Sequence, residues 1–227
     1  MNVSTKMGNI IGKKIKLARK ERERLSNVLN LSGNILILLS FLFLFFTFGP
    51  VTTEEIKYQT RQVFNIEYSV DAEPEGKVKN LTPPNKDFSI VIPKIGAVAP
   101  VVANVDPVNP DNYLLALRKG VAHAANTPMP GEFGNTYIFA HSTDAFYNVG
   151  AYNAVFYLLG KLTEGDKIHI YYEGEEYVYI VSDKRVVAPE DVKYLGKQGD
   201  WNTLTLQTCY PPGTTLKRLV VIANQIN

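Results

Sequence analysis

The stretch that decides the fold is TLTLQTCYPPGTTLKRLVV, which runs from Thr203 to Val221. It predicts a strand that ends near Cys209 and a second strand that begins near Arg218, with a Pro-Pro-Gly turn region between them. If these strands pair in antiparallel fashion, Cys209 and Arg218 lie at one edge of a sheet, within reach of each other.

This pairing would suit nucleophilic chemistry. Thiolate is the reactive form of cysteine, and a nearby positive charge favours it. The guanidinium of Arg218 never titrates and can donate hydrogen bonds to an oxyanion. Cys209 is the only cysteine, so it forms no internal disulfide. The plain structural alternatives are a small buried apolar residue for Cys209 and a solvated surface charge for Arg218.

Thiol catalysis of acyl transfer also needs a proton shuttle, normally histidine, and the chain has three. His141 ends the apolar strand TYIFAHS (136–142), the same placement that Cys209 has on its own strand. His123 lies beside a loop rich in Pro and Gly, where a structural hydrogen bond is the simple interpretation. His169 alternates within DKIHIYYEG and indicates a solvated or cross-strand position. Strand-end position therefore favours His141, with His123 second.

Residues 88–227 consist of short β-rich runs broken by turns, a pattern typical of a mainly β domain. FSIVIPKIGAVAPVV (88–102) predicts two strands, and DKIHIYYEG and EEYVYIVSDKRVV predict a hairpin around Glu173-Gly174. NPDNYLLALRKG (109–120) predicts a short capped helix, 145–159 a short helical region, and 188–200 a loop or short helical turn. Six to eight short strands without a repeat favour a small, mainly antiparallel barrel or sandwich.

The N-terminal part has a different character. Residues 1–30 carry eight Lys/Arg against two Glu, a net charge of +6, whereas the whole chain is +2. Residues 31–48, LSGNILILLSFLFLFFTF, are uncharged and would span about 27 Å as a helix, close to the hydrocarbon thickness of a bilayer. The positive-inside rule then predicts a single-pass anchor in the cytoplasmic membrane, with the N-terminus inside.

Four segments follow from this interpretation: a basic cytoplasmic tail (1–30), a transmembrane anchor (31–48), an extracytoplasmic stalk (49–87) and a β domain (88–227). The stalk is expected to act as a polar spacer that does not pack. A cleaved signal peptide is the main rival for 31–48, but GPVTTEE after Phe48 offers no small-residue cleavage site. The positive charge of residues 1–30 is explained by their position beside the membrane, so it gives no reason to expect a nucleic acid as a partner.

The chain shows neither a Gly-rich phosphate loop nor a cluster of metal ligands, so no cofactor and no metal are expected.

Several motifs together resemble the sortase family of membrane-anchored cysteine transpeptidases, found mainly on Gram-positive bacterial surfaces. They are TLQTC followed by Arg218, AHS some seventy residues upstream, and GVAH…PMPGEFGN before it. The resemblance covers residues 88–226, nearly the whole part of the chain that is expected outside the membrane, and the loop CYPPGTTLKR is closer to class D or class E members than to the housekeeping class. It implies a small closed β-barrel of the sortase type with short helices.

The resemblance also implies roles for individual residues. Cys209 resembles the nucleophile, His141 the general acid/base, and Arg218 the residue that positions substrate or binds the oxyanion. Thr208, Ala140, Tyr194 and Leu195 fall where the family contacts its substrate, and Gln207 replaces an apolar residue found in some members. Gly196 and Lys197 stand where one class has an acidic calcium site, which again implies independence of metal.

The implied activity is cleavage of an LPxTG-like C-terminal sorting motif of exported proteins through a thioester, followed by transfer to an amine on a peptidoglycan precursor or a pilin. Two alternatives stay open at this point. One is a thiol endopeptidase that uses water as acceptor. The other is a non-enzymatic, membrane-anchored β module, for which Cys209 and His141 would be dispensable.

Overall fold

The structure is a computed structural model that describes residues 3–70, 78–142, 155–196 and 201–226, with side chains described from residue 19 on and not for 46–51. The chain divides into two compact units, residues 1–49 and 50–227. Its helices are α1 (Val3–Phe64) and α2 (Pro110–Leu117), and short 3-10 turns cover Pro93–Ile95, Tyr157–Lys161 and Val192–Leu195.

Ten strands are present in the described part of the chain. They are β1 (Glu67–Ser69), β2 (Val78–Asn80), β3 (Phe88–Ile92), β4 (Ala97–Val105), β5 (Val121–Ala124), β6 (Asn135–Phe139), β7 (Lys167–Tyr172), β8 (Glu175–Val187), β9 (Thr203–Tyr210) and β10 (Lys217–Gln225).

The first unit is helical. Its segment Arg19–Phe45 is long and apolar enough to cross a membrane, with a mean hydropathy of 2.2 and none of its most apolar window buried. Large apolar side chains such as Leu36, Phe41 and Phe45 are exposed along it. A helix whose apolar side chains are left uncovered is a candidate membrane anchor, and the bounds 31–48 stay a prediction.

The start of the second unit differs from the expected spacer. Residues 50–64 are helical, and Tyr58 packs against the apolar core of the domain. Arg61 Nη2 donates to the carbonyl of Ile95 at 3.0 Å, and Lys161 Nζ lies 2.9 Å from Glu55 Oε1. The stretch thus packs on the β domain, whereas its polar composition had indicated an unpacked stalk.

Eight strands close into a barrel in the order β10-β8-β7-β3-β4-β5-β6-β9, with β9 pairing back onto β10. Closure removes the exposed strand edges that an open sheet of this size would present. The closed, mainly β barrel with short helices agrees with the expected fold.

Two neighbouring pairs in this barrel are parallel, β4 with β5 and β6 with β9, while the other pairs are antiparallel. Parallel neighbours need a crossover connection. For the first pair it is the helix α2, whose N-cap Asn109 accepts hydrogen bonds from the backbone N–H groups of Asp111 and Asn112. The sequence predicted this helix but not the parallel pairing that it brings about.

The barrel interior is filled by aliphatic side chains from alternate strand positions, so the core lies inside the closed sheet. Ile90 and Ile92 of β3, Ile168 and Ile170 of β7, and Leu206 of β9 are fully buried. Each such side chain stabilises the fold by about 1.5–3 kcal/mol relative to its exposed state.

The predicted hairpin is confirmed in detail. Tyr172 of β7 pairs with Glu175 of β8, which leaves Glu173 and Gly174 as a two-residue turn. Both have positive φ, 51° and 90°. That conformation suits the right-handed twist of the flanking strands and is easy for glycine.

His123, the second histidine considered as a proton shuttle, is fully buried and bonded at both ring nitrogens. Nε2 lies 3.2 Å from the carbonyl oxygen of Pro128 and 2.9 Å from Thr127 Oγ1, and Nδ1 accepts from the Asn104 N–H at 3.4 Å. A carbonyl can only accept, so the neutral tautomer carries its proton on Nε2. Burial lowers the pKa of His123. The residue is structural.

This burial predicts a pH-dependent stability. In the unfolded chain the pKa of His123 returns to about 6.5, above its folded value, so below about pH 6.5 the unfolded state binds a proton that the folded state does not. The free energy of unfolding of the full chain in detergent, measured by denaturant titration, should therefore fall between pH 7.5 and pH 5.5. His123→Gln should show a smaller fall, because one titrating group is gone. Equal pH dependence in both proteins would contradict the assignment.

Candidate active site

The ends of β6 and β9 bring the histidine and the cysteine together. These parallel strands pair in the register Phe139 with Gln207, so the chain continues from matched positions by two residues to His141 on one side and Cys209 on the other. The carboxyl ends of parallel neighbours lie at the same edge of a sheet. His141 and Cys209 accordingly line the same cavity.

Two hydrogen bonds hold the segment before His141 against the strand of Cys209. The backbone N–H of Ala140 donates to the carbonyl of Gln207 at 3.1 Å. The hydroxyl of Thr208 donates to the carbonyl of Ala140 at 2.9 Å, and Thr208 is only 3% exposed. Thr208 thus ties the two strand ends together beside the thiol, in addition to lining the cavity.

Arg218 occupies the position opposite Cys209. In the antiparallel pair β9–β10 the two residues are direct partners, as the sequence predicted. Nη1 of Arg218 donates to the carbonyls of Thr215 and Lys217, at 3.1 Å each. These bonds fix one nitrogen of the guanidinium, and Arg218 lines the same cavity as Cys209 and His141.

This cavity is a groove of about 340 Å³. Its floor is formed by β6 and β9, and its walls by residues before and in α2 on one side and by the β8–β9 loop on the other. Tyr113 of α2 packs edge-on against Phe139 of the floor, with 6.4 Å between ring centroids. The residues that line the walls are largely apolar: Pro107, Val108, Tyr113, Leu114, Leu117, Pro189, Val192 and Leu195. The groove can bury apolar side chains of an extended peptide beside the thiol.

The 3-10 turn Val192–Leu195 carries two residues that the resemblance placed in substrate contact, and the structure separates them. Leu195 lines the groove, whereas Tyr194 is 3% exposed and belongs to the core. The carbonyl of Tyr194 accepts a hydrogen bond from Asn135 Nδ2 at 2.8 Å. Asn135 also accepts from the hydroxyls of Thr203 and Thr205, so it anchors the turn to the groove floor.

Cys209 also borders a second cavity, of about 320 Å³. Tyr157, Lys161 and Glu55 line it, together with Ser142, Thr208, Tyr210 and Pro212. A hydrogen bond from Gln59 and, next, the ion pair with Lys161 lower the pKa of Glu55, so its carboxylate stays ionised. Cys209 therefore lines two cavities.

The structure brings His141, Cys209, Arg218, Thr208, Ala140 and Leu195 together in the groove and places Tyr194 behind it. His169 is nearly buried and bonds to Glu176 within the β7–β8 hairpin, 2.7 Å from Oε1, as a cross-strand residue. Sequence reasoning missed the wall before and in α2. The sequence did carry a signal for this wall: the predicted helix has two adjacent leucines, Leu114 and Leu115. Both are exposed in the structure, on the crossover helix α2.

In the part of the chain that the structure describes, no group of three or more His, Cys, Asp or Glu side chains could hold a metal ion. Gly196 lies at the end of the described loop, and Lys197 lies outside the described residues. Independence of metal stays a prediction.

The tether made by Thr208 gives a testable prediction. Thr208→Val removes the hydroxyl and leaves the buried Ala140 carbonyl without this donor, which loosens the segment that carries His141. We expect the second-order rate constant for acylation of Cys209 by a peptide substrate to fall roughly tenfold. Thr208→Ser should retain most of the rate. The control is Thr163→Val, which removes a hydroxyl from an exposed turn. Equal rates for the valine and serine variants at position 208 would contradict the tether.

Comparison with known proteins identifies the family. A family model described as a sortase domain matches residues 90–226. Sortase D from Bacillus subtilis is 27% identical over 138 residues, which cover 60% of this chain and 61% of that protein. The match thus spans less than two thirds of that relative's own length.

Solved structures show the same fold. A Sortase D5 transpeptidase from Clostridium perfringens is 28% identical, with a TM-score of 0.52, over 65% of this chain and 82% of that one. Sortase A from Corynebacterium diphtheriae is 31% identical, with a TM-score of 0.53, over 62% of this chain and 60% of that one. These relatives belong to different sortase classes, so the class of this chain stays a prediction.

Proposed function

The chain belongs to the sortase family, and on that premise we propose that it is a cysteine transpeptidase that cleaves an LPxTG-like sorting motif of exported proteins. The observation that carries the proposal is the meeting of His141, Cys209 and Arg218 at one groove. A nucleophile, a proton shuttle and a fixed cationic donor are the groups that acyl transfer by a thiol requires.

In the first half-reaction the thiolate of Cys209 attacks the carbonyl carbon of the bond to be cleaved. The carbonyl oxygen becomes an oxyanion, and the free N–H donors of Arg218 stabilise it. The C–N bond then breaks as protonated His141 gives its proton to the departing amine. The products are a free amine and a thioester on Cys209.

In the second half-reaction an amine attacks the thioester carbon. Neutral His141 takes the amine proton, the C–S bond breaks and the thiolate of Cys209 is restored, so the cycle balances. The position of Cys209 between two cavities supports transfer, because the acyl chain could remain in the groove while the acceptor enters through the other cavity. The acceptor would be an amine of a peptidoglycan precursor or of a pilin subunit.

The membrane arrangement is part of the proposal. Residues 31–48 would anchor the chain in the cytoplasmic membrane, and the eight Lys/Arg of residues 1–30 would keep the N-terminus inside. The β domain then lies outside, where exported substrates and cell-wall acceptors are found.

The first test is a search for the acyl-enzyme. The full chain in detergent is incubated with peptides that carry sorting motifs, and intact-mass spectrometry detects the adduct on Cys209. Cys209→Ala should give none, and His141→Ala should lower the rate by about 10²–10⁴-fold. His169→Gln, a histidine change outside the groove, is the control. An absence of any adduct across a broad peptide panel, with folded protein, would refute the proposal.

The second test separates transfer from hydrolysis. The same reaction is run with and without a glycine-terminated peptide amine, and the products are resolved by mass. We expect a new amide product whose share rises with amine concentration, because the amine competes with water for the thioester. A product set that is indifferent to the amine would identify a thiol endopeptidase instead.

A further inference from the structure

The second cavity that Cys209 lines differs in character from the apolar groove. Of the described residues that line it, only Glu55 and Lys161 carry a charge, and Ser142, which follows His141 in the chain, lines it as well. An apolar groove suits the apolar residues of a sorting motif. A cavity with charged side chains suits a nucleophile whose charge changes during the reaction, which is the property of an amine acceptor.

Glu55 reaches this cavity from the helical segment 50–64 of α1, far from the nucleophile in sequence. Glu55, Tyr58 and Arg61 follow one another at a spacing of three residues, so they share one face of the helix. Tyr58 packs against the core of the domain, and Arg61 Nη2 donates to the carbonyl of Ile95 at 3.0 Å. These contacts hold the segment on the β domain and keep the carboxylate of Glu55 at the cavity.

The ion pair with Lys161 does not cancel the negative charge in the cavity. The hydrogen bonds from Gln59 and Lys161 both end on Oε1 of Glu55, at 2.9 Å each, so Oε2 carries no bond from the described residues and can accept from a ligand. Burial and, next, the charge of Glu55 raise the pKa of Tyr157 on the cavity wall, and the opposing effect of Lys161 is smaller. The negative charge therefore dominates at the Tyr157 hydroxyl.

The transfer step creates a positive charge on the acceptor. A neutral amine attacks the thioester carbon and the C–N bond forms, so the carbonyl oxygen becomes an oxyanion and the nitrogen becomes positive. Neutral His141 then takes a proton from the nitrogen, the C–S bond breaks, and the thiolate of Cys209 leaves. Until that proton is transferred, a carboxylate in the same cavity stabilises the positive nitrogen. Glu55 itself takes no proton in this step.

We propose that the second cavity is the acceptor site and that Glu55 determines its specificity, favouring amine acceptors because its carboxylate stabilises the nitrogen that becomes positive during attack. Lys161 opposes this effect and limits it. The inference rests on the proposed function and adds to it the residue that selects the class of acceptor. It also gives the helical segment 50–64 a part in the reaction, because that segment supplies the carboxylate.

The experiment compares two acceptors of similar size, ethanolamine and mercaptoethanol, on the acyl-enzyme of the full chain in detergent. The amine nitrogen becomes positive on attack, whereas the thiol attacks as a negative thiolate and becomes neutral. The initial rates of amide and of free thioester formation are measured by mass spectrometry. Their ratio isolates the effect of charge in the cavity, because a change in the fit of the cavity alters both rates together.

Two variants of the ion pair should change this ratio in opposite directions. Glu55→Gln should lower the ratio of amide to thioester roughly 3- to 10-fold, the size of one partly exposed charge interaction. Lys161→Met should raise it, since the opposing charge is gone. Both variants break the same ion pair, so a structural role alone would shift the ratio in one direction or leave it unchanged, and either result would overturn the inference. Glu54→Gln, whose partner Lys57 lies on the same helix, is the matched control and should keep the parent ratio.

Failure of this inference and failure of the proposed function have different outcomes. If sorting-motif peptides acylate Cys209 and Glu55→Gln keeps the parent ratio, the assignment of the acceptor site is wrong and the transpeptidase proposal stands. If no such peptide acylates Cys209, the proposed function fails, and the thioester is formed with p-nitrophenyl acetate instead. Opposite shifts of the ratio on that acyl-enzyme would then sustain the inference alone, and an unchanged ratio would overturn it.

Discussion

The parallel pairing of β6 with β9 is the constraint on which the site depends. Its register matches Phe139 with Gln207, and two further residues on each strand lead to His141 and Cys209. A slip of one residue would turn every side chain of β9 to the other face, so Cys209 would enter the core and Thr208 would lose its hydrogen bond to the Ala140 carbonyl. The leucines of β9 would leave the core in such a slip. Their burial therefore stabilises the register on which the catalytic geometry depends.

The sequence predicted the antiparallel part of this arrangement well. Cys209 and Arg218 are joined by a short turn, and the facing positions can be counted along the chain; the structure has them as direct partners. The facing positions of the parallel pair could not be counted along the chain. The strands of His141 and Cys209 are separated in sequence by two further strands, and they become neighbours only through barrel closure. His141 was predicted only from its position at the end of a strand. This criterion works because closure of the barrel places the ends of β6 and β9 side by side.

Other features escaped the sequence for physical reasons. The segment 50–64 is polar, yet it is helical and packs through Tyr58 and Arg61. Its i,i+3 and i,i+4 contacts, Lys57 to Glu54 and Gln59 to Glu55, were readable as helix-stabilising pairs. Tyr194 was expected in the groove because the resemblance placed its loop in substrate contact, but a 3-10 turn directs side chains to several sides, and only the fold decides which one is buried.

The strand that carries the nucleophile also connects the other two groups of the site. β9 is paired with β6 on one side and with β10 on the other, so Cys209 stands between the segment that carries His141 and its direct partner Arg218. A strand that is hydrogen-bonded on both sides cannot shift alone, so folding sets the relative positions of the three groups before any substrate binds. Groups that are oriented in advance lose little freedom when they react, which is where orientation accelerates a reaction.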